Sequence, residues 1–129
     1  MEPIRADYRA WQAKSEACVR ERRGSLVVGT TPADPAKFAA EARTFRRAGY
    51  QVELLVPAVR AADSRRGTAH RYARLSARGL PARFATAAGH DTHHLVLLAA
   101  VATAEELAAV DQITVMRRDT TAPYRSRPT

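Results

Sequence analysis

The stretch DPAKFAAEARTFRRAGYQVELLVP, residues 34–57, decides the fold class. Asp34 has the short acceptor side chain of a helix N-cap, and Pro35 has the fixed φ suited to a first helical position. Phe38, Ala42, Phe45 and Arg46 then recur at helical spacing and set one face of a helix. Gly49 stops it, because glycine enters the left-handed conformation of a helix end without a Cβ clash. Val52, Leu54 and Val56 alternate directly afterwards, which is the period of a strand, and Pro57 closes the run. A helix that leads at once into a strand is part of a crossover unit, so the rest of the chain is read for the same alternation.

Toward the N-terminus, Ser25–Val28 is a short apolar run between Gly24 and Gly29 and reads as a buried strand, with a turn from Gly29 to Pro32. Before it, Ile4, Tyr8, Trp11, Ser15 and Cys18 make one face of a first helix, with Pro3 in its first turn. Arg5, Arg9, Lys14, Glu16 and Glu21 lie opposite, and Arg20–Arg23 before Gly24 marks its end. Toward the C-terminus, a third helix is expected from about Ala61 to Arg78, stopped by Gly79 and Pro81. Gly89–Thr92 interrupts the pattern and offers Asp91 or Thr92 as a cap. Leu95–Ala102 and Ala104–Val110 then read as a fourth, nearly apolar helix, broken near Thr103. Ile113–Met116 is the last strand. Residues 1–119 are expected to form one domain, and 120–129, rich in Thr, Pro, Arg and Ser, a flexible tail. The order α-β-α-β-α-α-β predicts an α/β fold with about three parallel strands, each covered on both faces.

The 129 residues fit one domain. Apolar residues make up 46% of the chain but aromatics only 6%, and roughly a fifth is alanine, so the core must be built from small aliphatic side chains. The longest apolar run, Leu95–Ala102, is far short of the ~20 residues that span a bilayer. No membrane partner is expected. Glu2 and Asp7 stand where a secretory signal would be basic and apolar, and Cys18 is the single cysteine, so a cytoplasmic location is expected. The net charge is +8, carried almost entirely by arginine, whose fork suits phosphate. The small aromatic content argues against nucleic acid as the acceptor, because unspecific strand binding uses stacking side chains.

Gly24–Thr31 has the spacing GxxxxG followed by Thr-Thr, but Thr30 stands where a phosphate-binding loop needs lysine, and the intervening residues read as a strand. Lys14 and Lys37 are the only lysines. No catalytic residue is therefore assigned. His90 and His94 are spaced to share a helix face, yet Asp91 replaces the glutamate of a zinc hydrolase and no distant third ligand is evident, so no metal is expected. Ser64, Gly67, Thr68, Arg71 and Tyr72 form a polar cluster in the third helix. Gly67 costs a helix interior ~1 kcal/mol relative to alanine, which a close backbone approach would explain. Arg71, on this helix, and Arg83, on the loop after Pro81, would make a phosphate clamp if they converge.

In this order the segments resemble the C-terminal part of the zeta toxins, P-loop kinases that phosphorylate UDP-N-acetylglucosamine. The resemblance runs from Ser25 to Tyr124. It rests on Leu26-Val27-Val28-Gly29-Thr30, on Phe45 to Leu54 with its Ala-Gly-Tyr turn, and on Ser64-x-x-Gly67-Thr68-x-x-Arg71-Tyr72. Ala82-Arg83, His90-Asp91 and the last strand from Val110 to Arg118 complete it. It implies a remnant of a P-loop kinase three-layer sandwich. It also implies substrate or phosphate contacts for Thr30, Arg71 and Arg83, and ATP with Mg as cofactors of the family, although this chain itself is expected to hold none. Two positions depart from the family: Val28 stands where a glutamate is usual and Pro32 where an arginine is frequent. The family's P-loop and catalytic acid lie upstream of the matched part. The resemblance therefore implies a degenerate or truncated kinase, inactive alone, with residual binding of a UDP-sugar or nucleotide. The alternative is a basic protein–protein module that docks an antitoxin or a separate P-loop half. In the family the P-loop strand lies between the strands at Ser25–Val28 and Val52–Pro57, so those two are expected to pair with each other or with a second chain.

Overall fold

A computed structural model describes the backbone from Glu2 to Thr129 and the side chains from Asp7 onward. The chain divides into two compact units, one ending at Thr30 and the other spanning Thr31–Thr129.

The first unit is helix α1, Glu2–Glu21, followed by a segment without regular structure. Pro3 falls in its first turn, as expected. Its end is tied by Gly24 N–H to Val19 O, and Arg23 rather than Gly24 takes the left-handed conformation. The expected apolar face is present but not buried: Tyr8 is 69% and Trp11 75% exposed. The side chains of Ile4 and Arg5 lie outside the described residues. Ser25–Val28 is not a strand. It has no regular structure, no described hydrogen bond reaches its backbone, and Val27 is 96% exposed. Apolar β-formers supply side chains for a strand, but a strand exists only where a neighbour takes its N–H and C=O groups.

The second unit starts as the sequence reading requires. Helix α2, Pro35–Arg47, is capped by Asp34 Oδ1, which accepts from the N–H groups of Ala36 (2.9 Å) and Lys37 (3.3 Å). It ends at Gly49, φ 85°, with Tyr50 N–H returning to Phe45 O. Strand β1, Glu53–Pro57, follows, then helix α3, Ala61–Ala77, which stops before Gly79 at φ 64°. Helix α4, Ala87–Glu106, is continuous through Thr103 and starts earlier than expected. Its cap is Thr86, whose Oγ1 accepts from Gly89 N–H at 3.1 Å, so Asp91 and Thr92 lie inside the helix. Gly89 leaves room for this cap, since a Cβ there would stand 3.1 Å from the Thr86 hydroxyl.

Strand β2, Gln112–Met116, pairs in parallel with β1, Glu53 opposite Gln112 and Pro57 opposite Met116. Strand β3, Tyr124–Ser126, pairs antiparallel with β2, Val115 opposite Tyr124. The sheet order is β1-β2-β3, so one strand pair is parallel and the other is not, in place of three parallel strands. The turn that reverses the chain is built by Asp119, whose Oδ1 accepts from Thr121 N–H (3.0 Å) and Oγ1–H (2.6 Å). Those bonds hold the Asp119 carboxyl below its ordinary pKa. Glu105 then receives Tyr124 Oη–H and Ser126 Oγ–H, which ties the stretch expected to fray back to α4.

Ala39 and Ala42 of α2 and Ala104 of α4 pack with Ala109, Val110 and Ile113, and Leu54 and Val56 of β1 close against them. Burial alternates along β1 and Leu55 is exposed, so one face of this strand is covered rather than both. Small side chains let α2 and α4 approach closely, and arginines lock the contact. Arg43 donates to Leu107 O at 2.7 Å and Arg46 to Ala108 O, satisfying carbonyls that α4 leaves unpaired at its end. Arg46 also pairs with Asp111 Oδ1 at 2.9 Å, while Asp111 Oδ2 accepts from Val52 N–H at 2.7 Å.

Candidate functional site

Helix α3, the loop that follows it and the first turn of α4 enclose a half-open cleft of about 210 Å³. Arg65, Thr68, Phe84, Thr86 and His90 line it, with three alanines between them. Its walls are fixed to one another by a chain of side-chain bonds. His90 Nδ1 lies 3.1 Å from Asp91 Oδ1 and Nε2 lies 2.8 Å from Ser64 Oγ. With Nδ1–H facing the carboxylate, Nε2 accepts from the serine hydroxyl. Arg65 Nη1 reaches Asp91 Oδ2 at 3.3 Å, and Thr68 Oγ1 donates to Ser64 O at 3.0 Å. Asp63 Oδ2 accepts from Arg60 Nε at 2.8 Å, which holds that carboxyl below its ordinary value.

At the other end of the cleft the rings of Tyr72 and Phe84 meet edge to face, 5.2 Å between centroids. Each ring directly follows one of the two arginines singled out from the sequence. Arg71 stands exposed on α3 and Arg83 exposed on the loop, and among the described residues neither is engaged by an ion pair or hydrogen bond. The aromatic contact brings the two segments that carry them side by side. Thr30 is exposed and closes the first unit.

The Ser64–Thr68–Tyr72 series is legible in the sequence as spacing along one helix side, but its partners Phe84 and His90 are not. The Arg-Tyr and Arg-Phe dipeptides are the signal that could have paired the two segments. Gly67 does not mark a tight backbone approach: a Cβ there would meet the Arg118 guanidinium at 3.6 Å, an ordinary contact. His90 and His94 stack at 6.1 Å as their spacing predicts, but both ring nitrogens of His90 are already engaged. Among the described residues no three His, Cys, Asp or Glu side chains form a metal-binding group. Among them also, no helix is long and apolar enough to cross a membrane.

A parallel strand pair joined through two helices, with a third strand added antiparallel, makes a mixed α/β unit consistent with part of a P-loop-like fold. Residues 1–129, the whole chain, match the zeta toxin family, and the chain belongs to it. The match includes α1, which the motifs read from Ser25 onward did not reach. No curated protein and no solved structure matches the chain.

Proposed function

We propose that this zeta-toxin-family chain binds the phosphates of a nucleotide or UDP-sugar through Arg71 and Arg83 and does not transfer a phosphoryl group by itself. The observation that carries the reading is the Tyr72–Phe84 contact, which draws the two arginine-bearing segments together while both guanidinium groups stay exposed. Phosphoryl transfer is catalysed by positioning and charge neutralisation around the terminal phosphates. The 129 residues offer no lysine at the glycine-bounded loop, where Thr30 stands. ATP with Mg would enter only with a P-loop from elsewhere.

Calorimetry with pyrophosphate and with UDP-N-acetylglucosamine tests the binding. A hydrogen bond to a charged group contributes ~1.5–3 kcal/mol, the lower end at an exposed site, so Arg71→Ala with Arg83→Ala should weaken binding at least ~tenfold. Unchanged affinity in the double variant refutes the clamp. Turnover of ~1–100 per second in a phosphotransfer assay of the purified chain refutes the inactivity.

A second reading is favoured by the free edge of β1. Among the described residues that strand pairs only with β2, and Leu55 on it is exposed. An apolar edge with unpaired N–H and C=O groups is a template for another strand, which fits docking of an antitoxin or a separate P-loop half.

A further inference from the structure

Helix α3 carries a second set of basic residues that the phosphate reading leaves unused, three of them arginines. Arg66, His70, Arg74 and Arg78 recur every four residues, the last at the C-cap position. At 1.5 Å per residue they form one row about 18 Å long. All four side chains are exposed, and no residue of α3 is buried. Like charges four residues apart oppose helix formation. Asp63 is the only acidic residue of the helix, and Arg60 and Arg66 already hold it. Among the described residues, no ion pair or hydrogen bond engages the side chains of Arg74 or Arg78. Arg66 shares Asp63 with Arg60, so the uncompensated positive charge lies at the C-terminal end of the row, on Arg74 and Arg78.

We infer that this face of α3 docks an acidic helix of another polypeptide. Carboxylates placed every fourth residue on a partner helix repeat at about 6 Å, the rise between Arg74 and Arg78, and reach Arg66 two repeats further along, so the two charge patterns stay in step along the contact. Arginine forks engage such carboxylates in paired hydrogen bonds. The surface beside the row suits a helix as well: Ala69, Ala73 and Ala77 have the same four-residue spacing and are exposed, so a partner backbone can come close while the arginines reach around it. A single nucleic-acid strand would call for stacking side chains among the cations. This face has none, since the nearby aromatics Tyr72 and Phe84 are occupied with each other. The row omits Arg71 and Arg83, so this inference and the phosphate reading fail separately.

The test uses the full chain and a synthetic alanine-based 20-residue peptide with glutamate at every fourth position. The control is a peptide of the same composition with its glutamates spread around the helix. By fluorescence anisotropy in low salt, the ordered peptide should bind at least tenfold tighter than the control, and the affinity should fall steeply with added salt. Arg74→Glu with Arg78→Glu should lower that affinity at least tenfold while pyrophosphate binding is unchanged. Arg74→Gln with Arg78→Gln should give a smaller loss with the same helix content by circular dichroism. Equal binding of the two peptides, wild-type affinity in the charge-reversed variant, or tighter binding of a 20-nucleotide polyuridine RNA than of the ordered peptide would each overturn the inference.

Discussion

Replacing Asp111 by alanine removes two bonds at the junction of α2, α4 and β1. One is the ion pair with Arg46 at 2.9 Å, the other the bond from Val52 N–H at 2.7 Å. They are unequal. The Arg46 side chain is 37% exposed, so water screens the pair and its loss costs at most ~1 kcal/mol. Val52 N–H sits at the half-buried entrance to β1, and a buried donor left unsatisfied costs ~1–3 kcal/mol. Asp111→Ala should therefore cost about 2–3 kcal/mol, a large part of a domain stability of ~5–15 kcal/mol. Asp111→Asn keeps an acceptor for Val52 and loses only the charge, so it should cost about 1 kcal/mol. Urea unfolding followed by circular dichroism reads both, through the midpoint at constant slope. If Asp111→Ala lies within about 0.5 kcal/mol of wild type, the junction does not hold the sheet to the helices. If asparagine costs as much as alanine, the ion pair outweighs the strand bond, and screening by water does not weaken it as its exposure requires.

Three further outcomes follow from the geometry. Ile113 is 1% exposed in a core of small residues, so Ile113→Ala should cost ~2–5 kcal/mol in the same urea experiment, and a loss below ~1 kcal/mol would show the site to be loosely packed. Gly67→Ala should raise stability by ~0.5–1 kcal/mol, seen as a higher Tm, because the added methyl meets only the far end of the Arg118 side chain; a lower Tm contradicts this. Glu53 is held below its ordinary 4.5, first by the Thr114 hydroxyl and then by Gln112. A carboxyl depressed in the folded state adds stability above the unfolded pKa and loses it as pH falls through the folded one. Unfolding midpoints taken downward from about pH 5 should thus drop less steeply in Glu53→Gln than in wild type, and parallel curves would show that Glu53 does not contribute.

Most of the helix signals could be read without a structure because they are local. Asp34 with Pro35 starts α2 and Gly49 ends it, and Gly79 follows α3, since a cap depends on residues within one turn of itself. Val52, Leu54 and Val56 do meet the core, but the apolar run predicts cover on both faces, and the exposure of Leu55 shows only one face covered. The residues of the candidate site were legible only singly. Arg71 and Arg83 were marked by motif spacing, whereas the bonds that build the cleft, His90 to Ser64 and Phe84 to Tyr72, span 26 and 12 residues and leave no periodic trace.

The sequence by itself determined where α2 and α3 begin and end, that the core would be of alanine and small aliphatic residues, and which family the motifs resemble. The tertiary structure alone decided which segments became strands. Ser25–Val28 is more apolar than Tyr124-Arg125-Ser126, yet the first stays unpaired and the second joins the sheet. The reason is that a strand is defined by its neighbour: Asp119 turns the chain so that β3 lies against β2, where its backbone groups find partners and Glu105 takes its hydroxyls. No described backbone group offers Ser25–Val28 the same, and side-chain propensity cannot substitute for a missing hydrogen-bond partner.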